Sequence, residues 1–373
     1  MLVSADRIVT PARVLAPGWL RVDGADVAEV GEGEPPGPVD EALAGATVVP
    51  GFVDVHCHGG GGASYDGGSA DDAAVAVRTH LAHGTTTMVA SLVSAAQPTL
   101  VESVRRLADL VDDGLVAGIH VEGPWISPDR AGAHDPALLA DATPAAVDEV
   151  VAAARGALRM VTLAPERAGG VEAVRRLVEA GVVAAVGHTD ATYDQTLAAL
   201  DAGATVGTHL FNGMRGLHHR EPGPIAALLE HPDAHVELIA DGVHAHPAAL
   251  RLAVRAKPGQ VVLITDAMAA AAAADGDYQL GRMSVEVRDG VARLAGGGAI
   301  AGSTLTMARA VRYAVRHVGL PLEEAVRAAT ATPAAMLGLE GVGALVPGHR
   351  ADLVVLDADL EVRRVMRRGQ WAG

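Results

Sequence analysis

Eight short apolar runs recur along the middle of this 373-residue chain, near residues 52–56, 86–91, 116–121, 159–163, 183–187, 205–208, 236–240 and 261–265. Between most of them the apolar positions take a helical period, over 72–82, 100–111, 171–180, 192–202 and 247–256. Strands alternating with helices specify a parallel sheet, because a parallel neighbour is reached only through a long crossover. Eight such units in about 215 residues fit a closed (β/α)8 barrel. An open doubly wound sheet is the competing arrangement, but no Gly-x-Gly-x-x-Gly opens a helix after a strand. Gly59-Gly60-Gly61-Gly62 comes nearest and reads as a flexible connection.

The two ends of the chain have a different texture. Residues 1–47 hold short apolar alternations split by Gly and Pro, such as Leu20-Arg21-Val22 and Val27-Ala28-Glu29-Val30. Residues 343–373 read the same way, with Leu353-Val354-Val355-Leu356 and Val362–Val365 as strands. The expected fold class is α/β. A TIM-like barrel over 48–342 carries the chemistry, and both termini together make a small β-sandwich domain, 1–47 with 343–373.

Composition bounds the partners. Half the residues are apolar and only 2% are aromatic, so Ala, Val and Leu must build the core. Acidic residues outnumber basic ones 45 to 29, for a net charge of −16. That argues against nucleic acid and anionic membrane as partners, although a small anion can still be bound locally. The single cysteine, Cys57, rules out an internal disulfide framework. The first residues lack a basic then apolar leader, and no apolar run reaches 18 residues, so a cytoplasmic protein is expected.

The strand ends carry the chemistry. The first ends in His56 and His58, two apart and so on one side of an extended chain. The third ends His120-Val121-Glu122, the fourth reaches Glu166, and the fifth runs into His188-Thr189-Asp190. The sixth ends Thr208-His209, the seventh reaches Asp241 and His244, and the eighth ends at Asp266. In a barrel these ends converge on one rim. Seven of eight strands thus bring an imidazole or carboxylate to that rim, too many for chance placement. Such N and O donors suit Zn²⁺, Fe²⁺, Mn²⁺ or Co²⁺. A hydrolytic site of this kind also needs a proton carrier, and Asp266, followed by a plain Ala-rich loop, fits that role.

These blocks together resemble the amidohydrolase superfamily and, within it, the N-acetylglucosamine-6-phosphate deacetylase family. The similarity runs in order through Pro50–Gly59, His120-Val121-Glu122-Gly123-Pro124, Gly132-Ala133-His134, Gly187-His188-Thr189, Thr208–Met214, Arg220-Glu221-Pro222-Gly223, Ile239–His244, Thr265-Asp266-Ala267 and Ala301–Leu305. The resemblance implies a divalent metal, zinc or iron, with one or two ions per subunit. Glu122, His188 and His209 match the main metal ligands, and His56 with His58 match the pair that holds a second ion. Asp266 matches the catalytic acid and base. His134 matches the residue beside the acetamido group. Asn212, Gly213, Arg220 and His244 match the sugar-phosphate contacts, with Arg220 reaching in from the neighbouring subunit of a homodimer, and Ile300 matches a loop over the sugar. Many amidohydrolases bridge two metals with a carboxylated lysine on strand four, but the only lysine here is Lys257, so Glu122 is the available bridge. The implied activity is removal of the acetyl group from an amino-sugar phosphate, N-acetylglucosamine 6-phosphate. The alternatives are its galacto epimer, an N-acyl amino acid, or a sugar-phosphate sensor without turnover.

Other residues carry plainer expectations. His80, His83, His231, His235, His317 and His349 read as surface or packing residues, and His246 as a helix start. His120, on the same strand face as Glu122, reads as barrel interior. Cys57 reads as a small buried side chain. Asp54 shares a side with His56 and His58 and is expected to orient them.

Overall fold

The computed structural model describes residues 1–67 and 69–372. Eight parallel strands form one sheet in sequential order: β1 (Phe52–Cys57), β2 (Thr85–Leu92), β3 (Gly118–Glu122), β4 (Leu158–Leu163), β5 (Val183–Val186), β6 (Val206–Gly207), β7 (His235–Ile239) and β8 (Val261–Ile264). The sheet curls until its edges meet just past the strand ends. There the Asp266 N–H donates to the His56 carbonyl at 2.9 Å, and the His58 N–H to the Ala267 carbonyl at 2.7 Å. The barrel is therefore nearly closed, as the alternation predicts. Its strands are buried on both faces, which is why they read as unbroken apolar or β-branched runs.

Each strand is followed by a helix: α1 (Ala70–Ala82), α2 (Gln97–Asp112), α3 (Pro144–Ala153), α4 (Gly170–Glu179), α5 (Tyr193–Asp201), α6 (Gly223–Glu230), α7 (Pro247–Ala256) and α8 (Met307–Tyr313). Local chemistry sets several starts. Ser69 caps α1 in a reciprocal pair with Asp72, and Thr192 caps α5 with Gln195. Pro144 and Pro247 each begin a helix, where a missing N–H leaves no bond unmade.

The termini share one eight-stranded mixed sheet. Strand Glu41–Pro50 lies at its centre, parallel to Leu2–Val9 and antiparallel to Leu353–Leu356. The two expected layers are thus parts of one sheet that rolls round its own core of Val3, Ile8, Leu20, Val48, Leu353 and Met366. The roll is fastened where the Val27 N–H donates to the His349 carbonyl at 2.8 Å.

Two expectations fail between residues 58 and 300. The Gly59–Gly62 loop is ordered, not free. Gly59–Gly60 pairs with Ala63–Ser64, and the Gly61 and Gly62 N–H groups donate to the Ala271 and Ala269 carbonyls. The plain loop after Asp266 leads into a three-stranded antiparallel sheet, Gly276–Leu280, Met283–Arg288 and Val291–Leu294. Leu280, Val285, Val287 and Ala292 form its core with Val93, Met268 and Ala301. This small sheet stands over the rim and sends its exit loop, with Ile300, back across the barrel mouth.

Candidate active site

The strand ends converge as expected. The Glu122 carboxylate, on the last residue of β3, sits at the centre of two sets of imidazoles. Its Oε1 lies 3.1 Å from His188 Nε2 and 2.9 Å from His209 Nε2, and those nitrogens are 3.1 Å apart. Its Oε2 lies 3.2 Å from His58 Nε2 and 3.5 Å from His56 Nε2, which are 3.2 Å apart. Asp266 Oδ1 completes this second set at 3.4 Å from both. Donors bound tetrahedrally at 2.0–2.1 Å lie about 3.3 Å from each other. Each set therefore has the spacing of ligands converging on one ion, and Glu122 belongs to both.

Partners on the far side of the rings fix which nitrogen faces inward. The His188 Nδ1–H donates to the Arg130 carbonyl at 2.8 Å, leaving Nε2 as a free lone pair. The His56 Nδ1–H donates to the fully buried Glu237 carboxylate at 3.1 Å, with the same result. Glu237 Oε2 also accepts the His209 backbone N–H at 3.3 Å. His134 is the reverse case. The Ser94 N–H donates to its Nδ1 at 3.2 Å, so the ring proton sits on Nε2, 3.5 Å from Glu122 Oε2. Burial pushes His134 down to about 4, keeping it neutral. Burial works against the charges on Glu122 and Asp266, but the facing imidazoles, His56 foremost, outweigh it and hold both carboxyls well below their usual range.

Backbone at the strand exits is unusual. His188, His209 and Asp266 have φ of 45°, 29° and 48°, a region that bulky residues rarely enter. Each turns its side chain inward as the chain leaves β5, β6 or β8, and such strain gathers at functional sites. β6 ends early, at Gly207, for the same reason. Gly213 has φ +59°, and a Cβ there would lie 2.9 Å from His188 Nδ1, so the loop can pass the ring only as glycine.

A cavity of about 200 Å³ opens onto these groups. His58, Glu122, His188, His209 and Asp266 line its floor, and Asn212, Gly213, His244, Ala299 and Ile300 its wall. The His244 Nδ1–H donates to Asp241 at 2.6 Å, and that carboxylate also accepts the backbone N–H groups of Val243 and His244. Arg220 is not in this wall. It is exposed and contacts His219 at 2.8 Å.

The remaining residues fall into place around the site. Asp54 does not touch an imidazole. It accepts from Thr265 Oγ1 at 2.5 Å and from the His56 backbone N–H at 3.3 Å, tying β1 to β8. Glu166 braces the loop after β5 through Thr189 and Asp190. His80 is fully buried, donating to the Gly59 carbonyl at 3.0 Å with Cys57 Sγ at 3.4 Å. His120 lies inside the barrel as expected, linked to Ser91 and Thr162 at 2.9 Å each. Glu237 and Ser94 were missed. An acid alone in the apolar run Val236–Ala240 was the signal for Glu237; nothing marked Ser94.

A parallel barrel with two carboxylates and clustered imidazoles at its C-terminal rim defines a class, the metal-dependent hydrolases built on this scaffold. Residues 47–372 match the Amidohydrolase family, and the chain belongs to that family. A crystal structure of N-acetyl-D-glucosamine-6-phosphate deacetylase from Mycobacterium smegmatis is 53% identical, with a TM-score of 0.98 and full coverage of both chains. A mutant of that protein has been solved in complex with N-acetyl-D-glucosamine-6-phosphate. N-acetylgalactosamine-6-phosphate deacetylase of Escherichia coli O157:H7 is 39% identical over 378 residues, covering 100% of this chain and 99% of its own. N-acetylglucosamine-6-phosphate deacetylase of Vibrio furnissii is 37% identical over 341 residues, covering 90% of this chain and 84% of its own.

Proposed function

We propose that this amidohydrolase removes the acetyl group from N-acetyl-D-glucosamine 6-phosphate, giving D-glucosamine 6-phosphate and acetate. The observation that carries the reading is the Glu122 carboxylate shared by two imidazole sets, with Asp266 beside it on the floor of a sugar-sized cavity. Glu122, His188 and His209 would hold one divalent ion, zinc or iron, and Glu122, His56 and His58 a second. When bound, such an ion supplies an acidified water and polarises the acetyl carbonyl.

The chain's own residues do the rest. Asp266, held ionised by the imidazoles beside it, takes the proton of the attacking water and delivers it to the leaving nitrogen. The His134 Nε2–H, its direction set by Ser94, donates to the carbonyl oxygen as charge builds there. Asn212, the Gly213 backbone and His244 orient the sugar phosphate, and Ile300 closes over the ring. Arg220 pairs with the phosphate from the partner protomer of a homodimer. Its exposed place outside its own cavity fits that role. A phosphorylated sugar is a cytoplasmic compound, and the enzyme works there.

The galacto epimer is a second reading, favoured by the Escherichia coli relative. The test is amine release from N-acetylglucosamine 6-phosphate, N-acetylgalactosamine 6-phosphate and unphosphorylated N-acetylglucosamine, with and without prior chelation. Chelator-sensitive release chiefly from the gluco phosphate is the expected result. Faster release from the galacto phosphate makes the second reading correct, and no release from any of the three refutes both.

A further inference from the structure

A cavity of about 360 Å³ lies at the other end of the barrel, where the N-terminal ends of β2–β4 meet the chain-end sheet. Thr86 and Thr87 from β2 and Arg159 from β4 line one side; Arg350, Arg367 and Arg368 line the other. In a chain of net charge −16, four guanidiniums thus face one space. Among the described residues, none of the four makes an ion pair or a side-chain hydrogen bond. Arg159 Nε and the Thr86 and Thr87 hydroxyls are buried without a partner, although buried polar groups are otherwise almost always paired. Gly118 makes the room: a Cβ there would lie 2.2 Å from Arg159 Cγ, so only glycine lets that side chain run beside β3. Two carboxylates are near. Glu340 is exposed at the cavity edge, and Asp352 accepts the Arg368 backbone N–H at 2.6 Å, leaving one oxygen unpartnered. They do not balance four cations. Burial and the neighbouring Arg368 and Arg350 push Arg367 down, against the pull of Asp352.

We propose that this cavity binds a small, multiply charged oxyanion of the phosphate class between the barrel and the chain-end sheet. Guanidinium forks match phosphate oxygens. Occupancy would join the strand Val362–Arg367 to the barrel through a shared anion.

The holoenzyme is labelled with phenylglyoxal in inorganic phosphate or in chloride of equal ionic strength, and modification is mapped arginine by arginine. Bound phosphate slows labelling of Arg350, Arg367 and Arg368 by the factor 1 + [L]/Kd, about tenfold at ten times Kd, and leaves exposed Arg78 and Arg282 unchanged. Arg159→Ser and Arg367→Gln, each retaining turnover as proof of folding, lose that protection at the remaining arginines. Unchanged rates in the wild type, or protection that survives both substitutions, overturn the proposal. Protection by succinate alone overturns the phosphate class. Because positions are mapped separately, a phosphate effect at Arg220 is not confused with this one.

Discussion

Replacing Glu237 by Gln removes one charge from the barrel interior while keeping its shape. The Gln oxygen can still accept from His56 Nδ1 and the His209 backbone, the two partners now at 3.1 and 3.3 Å. What is lost is the charge that raises the basicity of His56 Nε2. A hydrogen bond to a charged group contributes about 1.5–3 kcal/mol and a neutral one about 0.5–1.5. The difference, about 1–1.5 kcal/mol, is roughly tenfold in affinity. Metal-stripped protein titrated with Zn²⁺ against a competing chelator should therefore show the His56–His58 ion bound about tenfold more weakly, and the His188–His209 ion changed by less than about threefold. Two unchanged constants would show that Glu237 does not act through His56. Equal loss at both sites would mean that the change disturbs Glu122 instead, and would refute the reasoning in the other direction.

Asp266→Asn should lower kcat by about 10²–10⁴ while the ion held by Glu122, His188 and His209 stays bound; retained turnover removes Asp266 from the proton path. Arg220→Ala should raise KM for the phosphorylated sugar with little change in kcat. Mixing it with inactive Asp266→Asn should restore activity through hybrid dimers, and the absence of rescue argues that Arg220 acts within its own chain. His80 gives a pH prediction. Burial, against its bond to Gly59, pushes it from 6.5 down to about 4 in the folded protein. The unfolded chain binds that proton first, so stability falls as pH drops from about 6.5 to about 4, by up to about 3 kcal/mol. His80→Gln should flatten that part of a urea-denaturation profile, and an unchanged slope assigns the acid sensitivity elsewhere.

The barrel was legible because each strand is buried on both faces and so stands out as an apolar run between helices. The site was legible because its ligands sit at the ends of those runs. What stayed hidden depends on contacts distant in sequence. The sheet over 276–294 alternates at period two, as in Met283-Ser284-Val285-Glu286-Val287-Arg288, but follows an Ala-rich stretch that reads as a loop. His80 reads as either surface or packing on α1, and nothing local decides between them by revealing that the Gly59–Gly60 turn folds over it. Asp54 has the right phase to face the histidines, yet its closeness to β8 turns it to the Thr265 hydroxyl and backbone N–H. No motif predicts which end of a barrel collects arginines: Arg159 and Arg367 lie more than two hundred residues apart.

The central place of strand Glu41–Pro50 in the chain-end sheet has a consequence for synthesis. One side of that strand can pair with Leu2–Val9 at once, but its other neighbour, Leu353–Leu356, follows some 300 residues later. At about 5–20 residues per second the ribosome needs roughly 15–60 s to supply it. Through that interval Val48 and Val49, fully buried in the finished protein, lie along an open strand edge. The nascent chain is then most open to wrong pairing, and emergence of Leu353–Leu356 is what ends the exposure.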